Sequence, residues 1–109
     1  VMVVPSEIDN LPQTALEAQC CGIPVITFDN YGMKETVLNN QTGYLIKQFN
    51  YQLFAKKIVD ILNPNIQNRF KKNARNRAIN LWDPKLISTK ISNSYKYALK
   101  KRDLYNLYE

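Results

Sequence analysis

Two carboxylates, Asp9 and Glu17, stand eight positions apart in the segment Pro5-Ser6-Glu7-Ile8-Asp9-Asn10-Leu11-Pro12-Gln13-Thr14-Ala15-Leu16-Glu17-Ala18. Ionised carboxylates accept hydrogen bonds and donate none. Between them lie three hydroxyl or amide side chains, Asn10, Gln13 and Thr14, with Ser6 close by. If a helix begins near Pro12, its first backbone N–H groups lack intrahelical acceptors, and the positive end of its dipole favours an anion there by about 0.3–1 kcal/mol. Each residue also has a plainer reading. Glu17 could cap or salt-bridge its helix, Asp9 could form a turn, and Ser6 and Thr14 could satisfy local backbone groups. Metal chemistry finds little support: the chain has no histidine, no D-x-D pair, and only two cysteines, Cys20 and Cys21, which are adjacent and expected as reduced thiols at small packing positions.

These residues need elements to hold them. Val1-Met2-Val3-Val4 is a continuous apolar run stopped by Pro5, the pattern of a buried parallel strand. Gln13 to Cys21 has no helix breaker, with Pro12 suited to its first turn and Gly22 to a left-handed C-terminal cap. Ile23 to Phe28 reads as a second buried strand, ended by Asp29-Asn30-Tyr31-Gly32. The sequence therefore predicts a βαβ unit, whose ligands collect at the carboxyl ends of the strands; that places Pro5–Pro12 at a binding edge. A short helix over Met33–Leu38, a turn over Asn39–Gly43 and a strand over Tyr44–Ile46 follow.

The remainder is helical. Asn50 is placed to cap a helix over Tyr51–Leu62, with Leu53, Phe54, Ile58, Ile61 and Leu62 on one face. After Asn63-Pro64, Ile66, Phe70, Ala74, Ala78 and Leu81 mark a second amphipathic helix. Asp83-Pro84 caps a third, in which Ile87, Ile91, Tyr95, Ala98 and Leu99 continue toward Tyr105. Trp82 and the tyrosines Tyr95, Tyr97, Tyr105 and Tyr108 are expected in core or interdomain contacts.

The segment from Pro5 to Ala18, continued by Cys21-Gly22-Ile23-Pro24-Val25, resembles the donor-binding signature of the retaining GT-B glycosyltransferases of the group 1 or family 4 type. Gly32 and Glu35 match that family's G-x-x-E segment, and Thr42-Gly43-Tyr44-Leu45 its t-G-y-L segment. The resemblance covers residues 2 to 46 strongly. It implies an α/β fold, the Rossmann-like portion of a GT-B C-terminal domain followed by C-terminal helices. It also implies transfer of a sugar from a nucleotide-sugar donor to a glycan or lipid-linked acceptor, without a metal and with retention. No cofactor beyond that donor substrate is implied. In those terms Asp9 takes the first acidic position and orients the transferred sugar. Glu17 takes the second and accepts hydrogen bonds from the ribose. Ser6, Asn10, Leu11, Gln13 and Thr14 belong to the loop that holds the diphosphate; Glu35 also has a plainer reading, in which it pins the loop against the sheet. Asp9 in place of the usual Glu, and Asn10-Leu11-Pro12 in place of a glycine-rich stretch, imply altered sugar contacts. Residues 1–109 are then expected to be the C-terminal part of a donor domain, with the acceptor domain and the basic phosphate ligands upstream. Alone, such a piece is expected to have no turnover and little donor affinity.

Composition agrees with one small globular domain: 109 residues, 45% hydrophobic and 22% charged. No apolar run approaches the length of a membrane span and no signal-peptide layout opens the chain, so a cytoplasmic protein is expected, with the inner membrane face as its neighbourhood. The formal charge of +6 is uneven. Residues 1–50 carry Lys34 and Lys47 against five carboxylates, a balance of −3, whereas residues 51–109 carry thirteen lysines and arginines against four carboxylates, a balance of +9. A basic helical half admits peripheral contact with an anionic membrane, and less readily nucleic acid. Two further readings stay open: a GT-B-type sugar-nucleotide epimerase or non-catalytic relative, and a basic helical module that binds membrane or nucleic acid.

Overall fold

The computed structural model describes residues 1–105, with side-chain surroundings through Arg102. Three strands, β1 (Met2–Val4), β2 (Val25–Phe28) and β3 (Gly43–Ile46), form one parallel sheet in the order β1-β2-β3. Met2 lies against Val25, and Val25 in turn against Gly43. Helices α1 (Gln13–Cys20) and α2 (Met33–Thr36) occupy the connections, and α3 (Tyr51–Ile61), α4 (Pro64–Trp82) and α5 (Pro84–Tyr105) follow. This is the Rossmann-like α/β arrangement that the βαβ pattern predicts. Two units emerge, one from Val1 to Ile79 and a second from Asn80 onward.

Every residue of β2 is buried, as expected of a central parallel strand with both faces covered. Because side chains alternate across a strand, Ile26 and Phe28 meet Tyr44, Ile46, Phe54, Ile61 and Phe70 on one face, under α3 and α4. Val25 meets Val4, Ala15, Ala18, Met33 and Val37 on the other, under α1 and α2. Gln19 is fully buried on α1 and donates through Nε2 to the Thr36 carbonyl at 2.9 Å, tying the two covering helices together. Gly22 takes the left-handed cap with φ +70, a conformation that side chains resist.

Several boundaries differ from expectation. Ile23 and Pro24 precede β2 rather than joining it, and Cys21 is the cap of α1 rather than its last turn. Pro12 stands just before α1 in extended conformation, and its carbonyl accepts from the amides of Ala15 and Leu16, both at 3.1 Å. Leu53, Leu62 and Leu81 are exposed at the margins of their apolar stripes. Cys20 and Cys21 are both free thiols, but Cys21 is exposed rather than packed.

In the second unit, Asp83 caps α5 as the sequence predicts, its Oδ1 accepting from Lys85 at 2.8 Å and Leu86 at 3.3 Å. Tyr95 and Tyr97 are not core residues: they are 69% and 70% exposed, along with Ile91 and Leu99. Trp82 is half-buried. The expectations for the side chains of Tyr105 and Tyr108 fall outside the described residues.

Candidate functional site

All three strands run in the same direction, so the segments after Val4, Phe28 and Ile46 emerge on one rim of the sheet. The first is the loop 5–12, which contains no strand. Its shape is imposed by the other two. Asn30, buried just after β2, donates through Nδ2 to the carbonyls of Ser6 and Glu7, each at 2.8 Å. Gln48, just after β3, donates through Nε2 to the same Glu7 carbonyl at 2.7 Å. The Gly32 amide donates to the Asp9 carbonyl at 3.1 Å. Gly32 has to be glycine for steric reasons: a Cβ there would overlap the carbonyl of Asn10 and the amide of Leu11.

Within the loop, Asp9 is half-buried and its Oδ1 accepts from the Leu11 amide at 3.1 Å, so the turn-forming role is real. That bond occupies one carboxylate oxygen and leaves the other free of chain partners among the described residues. Asn10 and Leu11 are exposed, as are Gln13 and Thr14 at the start of α1. The α1 N-terminus has no side-chain cap and no acidic residue in its first turn. Among the described residues the backbone amides of Gln13 and Thr14 have no acceptor in the chain, and Pro12 has no amide to offer. The result is an open pair of donors at the positive end of a helix dipole.

Glu17 is exposed, on the side of α1 away from the buried Ala15, Ala18 and Gln19. Ser6 contributes its carbonyl to the Asn30 clamp, while its hydroxyl and that of Thr14 make no bond to the chain among the described residues. Glu35 is exposed, and its carbonyl accepts from Arg77 Nη2 at 2.7 Å, so α2 is fastened to α4 through backbone rather than through the Glu35 carboxylate. Sequence reading singled out Asp9, Glu17 and the loop between them but missed Asn30 and Gln48. Asn30 looked like an ordinary turn former. The available signal was position: polar amides directly after buried parallel strands stand beside the loop that follows the neighbouring strand.

Comparison with known proteins identifies the class. The family described as glycosyl transferases group 1 matches residues 1–77, and the chain belongs to it. Among relatives, it is 27% identical over 104 residues to the capsular polysaccharide biosynthesis glycosyltransferase CapM of Staphylococcus aureus, covering 94% of this chain and 27% of CapM. It is 32% identical over 80 residues to the UDP-Gal:alpha-D-GlcNAc-diphosphoundecaprenol alpha-1,3-galactosyltransferase of Escherichia coli, covering 73% of this chain and 21% of that enzyme. In three dimensions it is similar to sucrose-phosphate synthase from Thermosynechococcus elongatus, with a TM-score of 0.84 and 30% identity over 91% of this chain and 25% of that one. The chain thus spans about a quarter of the length of these relatives.

Proposed function

We propose that the chain is the C-terminal part of the donor domain of a glycosyltransferase that moves a sugar from a nucleotide sugar to a glycan or lipid-linked acceptor. The observation that carries this reading is the clamped loop 5–12 leading into the uncapped N-terminus of α1. Cleaving a sugar nucleotide builds negative charge on the departing diphosphate. Donors fixed in advance where that charge develops lower the barrier, because they need no reorganisation during the reaction. The amides of Gln13 and Thr14, with the hydroxyls of Ser6 and Thr14 and the exposed Asn10 side chain, form that cradle, and Leu11, whose amide already donates to Asp9 Oδ1, borders it with its exposed side chain. Asp9 orients the transferred sugar through its uncommitted carboxylate oxygen, and Glu17 accepts from the ribose hydroxyls. The sheet-side segments Asn30 and Gln48 touch no ligand in this scheme; they position the loop.

The names of two relatives support this acceptor class, one given for capsular polysaccharide biosynthesis and one for a diphosphoundecaprenol-linked substrate. Transfer is metal-independent and retains configuration, and it takes place in the cytoplasm next to the inner membrane face. No helix among the described residues is long and apolar enough to cross a membrane. An anionic bilayer is met peripherally through the basic helical half. Donor hydrolysis by the full-length enzyme tests the scheme. Turnover persists in excess EDTA, whereas residues 1–109 alone neither turn over nor bind the donor at micromolar concentration. Loss of turnover in EDTA, or micromolar donor binding by residues 1–109 in calorimetry, contradicts it.

A further inference from the structure

The turn after β3 contains a feature that the donor scheme leaves unused. Phe49 has φ +64, in the left-handed region that large side chains avoid, yet the residue is 58% exposed. Tyr51, 63% exposed, meets it edge-on with ring centroids 6.5 Å apart, and packs in turn against Phe28 at 5.9 Å. Burial therefore does not explain why a phenylalanine occupies a position where glycine or asparagine would be relaxed. Backbone strain at a residue this exposed, whose ring contact is with another exposed ring, points to a role for the side chain itself. The two rings border a groove of about 460 Å³ lined by Lys47, Gln48, Phe49, Asn50, Tyr51 and Gln52. Three side-chain amides alternate here with two aromatic rings. Gln48 spends its Nε2 on Glu7 and Asn50 spends its Oδ1 on the Leu53 amide. Gln48 Oε1, Asn50 Nδ2 and the whole Gln52 amide remain without chain partners among the described residues.

We propose that this groove is a subsite for a sugar ring, with the apolar face of the ring stacked on Phe49 and Tyr51 and its hydroxyls bonded to the three amides. Each amide can donate and accept, which matches hydroxyls that do both. Ligand sites built this way combine apolar bodies with a few placed polar groups. The proposed scheme already gives the donor sugar to Asp9, in the loop that Gln48 braces through Glu7, so the ring in this groove is assigned to the acceptor glycan; that assignment rests on the glycosyltransferase reading, whereas sugar binding itself does not.

The test is saturation-transfer NMR on the full-length protein with a mixture of gluco-, galacto- and mannohexaose and no donor present. Ring protons of at least one hexasaccharide receive saturation from the wild type. The signal falls about tenfold in Phe49→Gly and in Tyr51→Ala, and survives in Phe49→Tyr. Phe49→Gly also melts at a higher temperature than wild type, because glycine relaxes the turn, so its lost signal does not arise from unfolding. No saturation of any hexasaccharide, or equal saturation with Phe49→Gly, overturns the proposal. Titration of the same samples with nucleotide sugar reads the donor scheme separately, since Phe49 and Tyr51 take no part in it.

Discussion

Asn30 shows how one side chain sets the geometry of a site that it does not itself enter. Its Nδ2 satisfies two loop carbonyls 23 and 24 residues back, while its Oδ1 is buried without a hydrogen-bond partner among the described residues. Replacing it with alanine removes both bonds and should cost about 1–3 kcal/mol, read as a lower urea midpoint. Asn30→Asp should cost more, since a carboxylate would face the same two carbonyls with no proton to give. An unchanged midpoint for either variant would show that the loop holds its shape without the clamp. Such partners could not be found from local sequence. Turn propensity explains why an asparagine follows Phe28, but bonds spanning more than 20 residues exist only once the sheet brings the strand ends together.

At the level of elements, periodicity located the strands and helices because each must bury one face or both. The stripe Phe70, Ala74 and Ala78 in α4 was readable this way, and those three side chains are buried. What periodicity could not supply is the covering partner. Ile91 and Leu99 recur at helical spacing in α5, yet they are 51% and 50% exposed. Polar signals at the helix ends proved more reliable, since Asn50 and Asp83 both cap as their types suggest. Removing the α5 cap in Asp83→Ala should cost about 1 kcal/mol and reduce the helical circular-dichroism signal on mild heating. No change in that signal would mean that α5 takes its stability from elsewhere. The uncapped start of α1 was legible only as a possibility. Helix formation needs no cap there, and the structure leaves its amides open.

Across the whole molecule, the proposed scheme gives the two unequally charged halves different tasks. The acidic first half holds the proposed donor site, and the basic second half suits an anionic surface. Full-length protein is accordingly expected to sediment with vesicles containing phosphatidylglycerol and not with phosphatidylcholine alone. Raising the salt from 0.1 M to 1 M shortens the screening length from about 10 Å to about 3 Å and should release it. Equal sedimentation with both vesicle types would remove charge as the cause. The central claim is that Asp9 and Glu17 flank a diphosphate cradle, and calorimetric titration of the full-length enzyme with its nucleotide sugar tests it most directly. Losing a hydrogen bond to a charged group costs about 1.5–3 kcal/mol, so Glu17→Ala should weaken binding of both donor and free nucleotide diphosphate by roughly 10- to 100-fold. Asp9→Asn, which keeps the oxygen that accepts from the Leu11 amide, should weaken the donor but leave the nucleotide diphosphate nearly unchanged. Wild-type affinity in both variants, or equal losses for the two ligands with Asp9→Asn, would contradict the account.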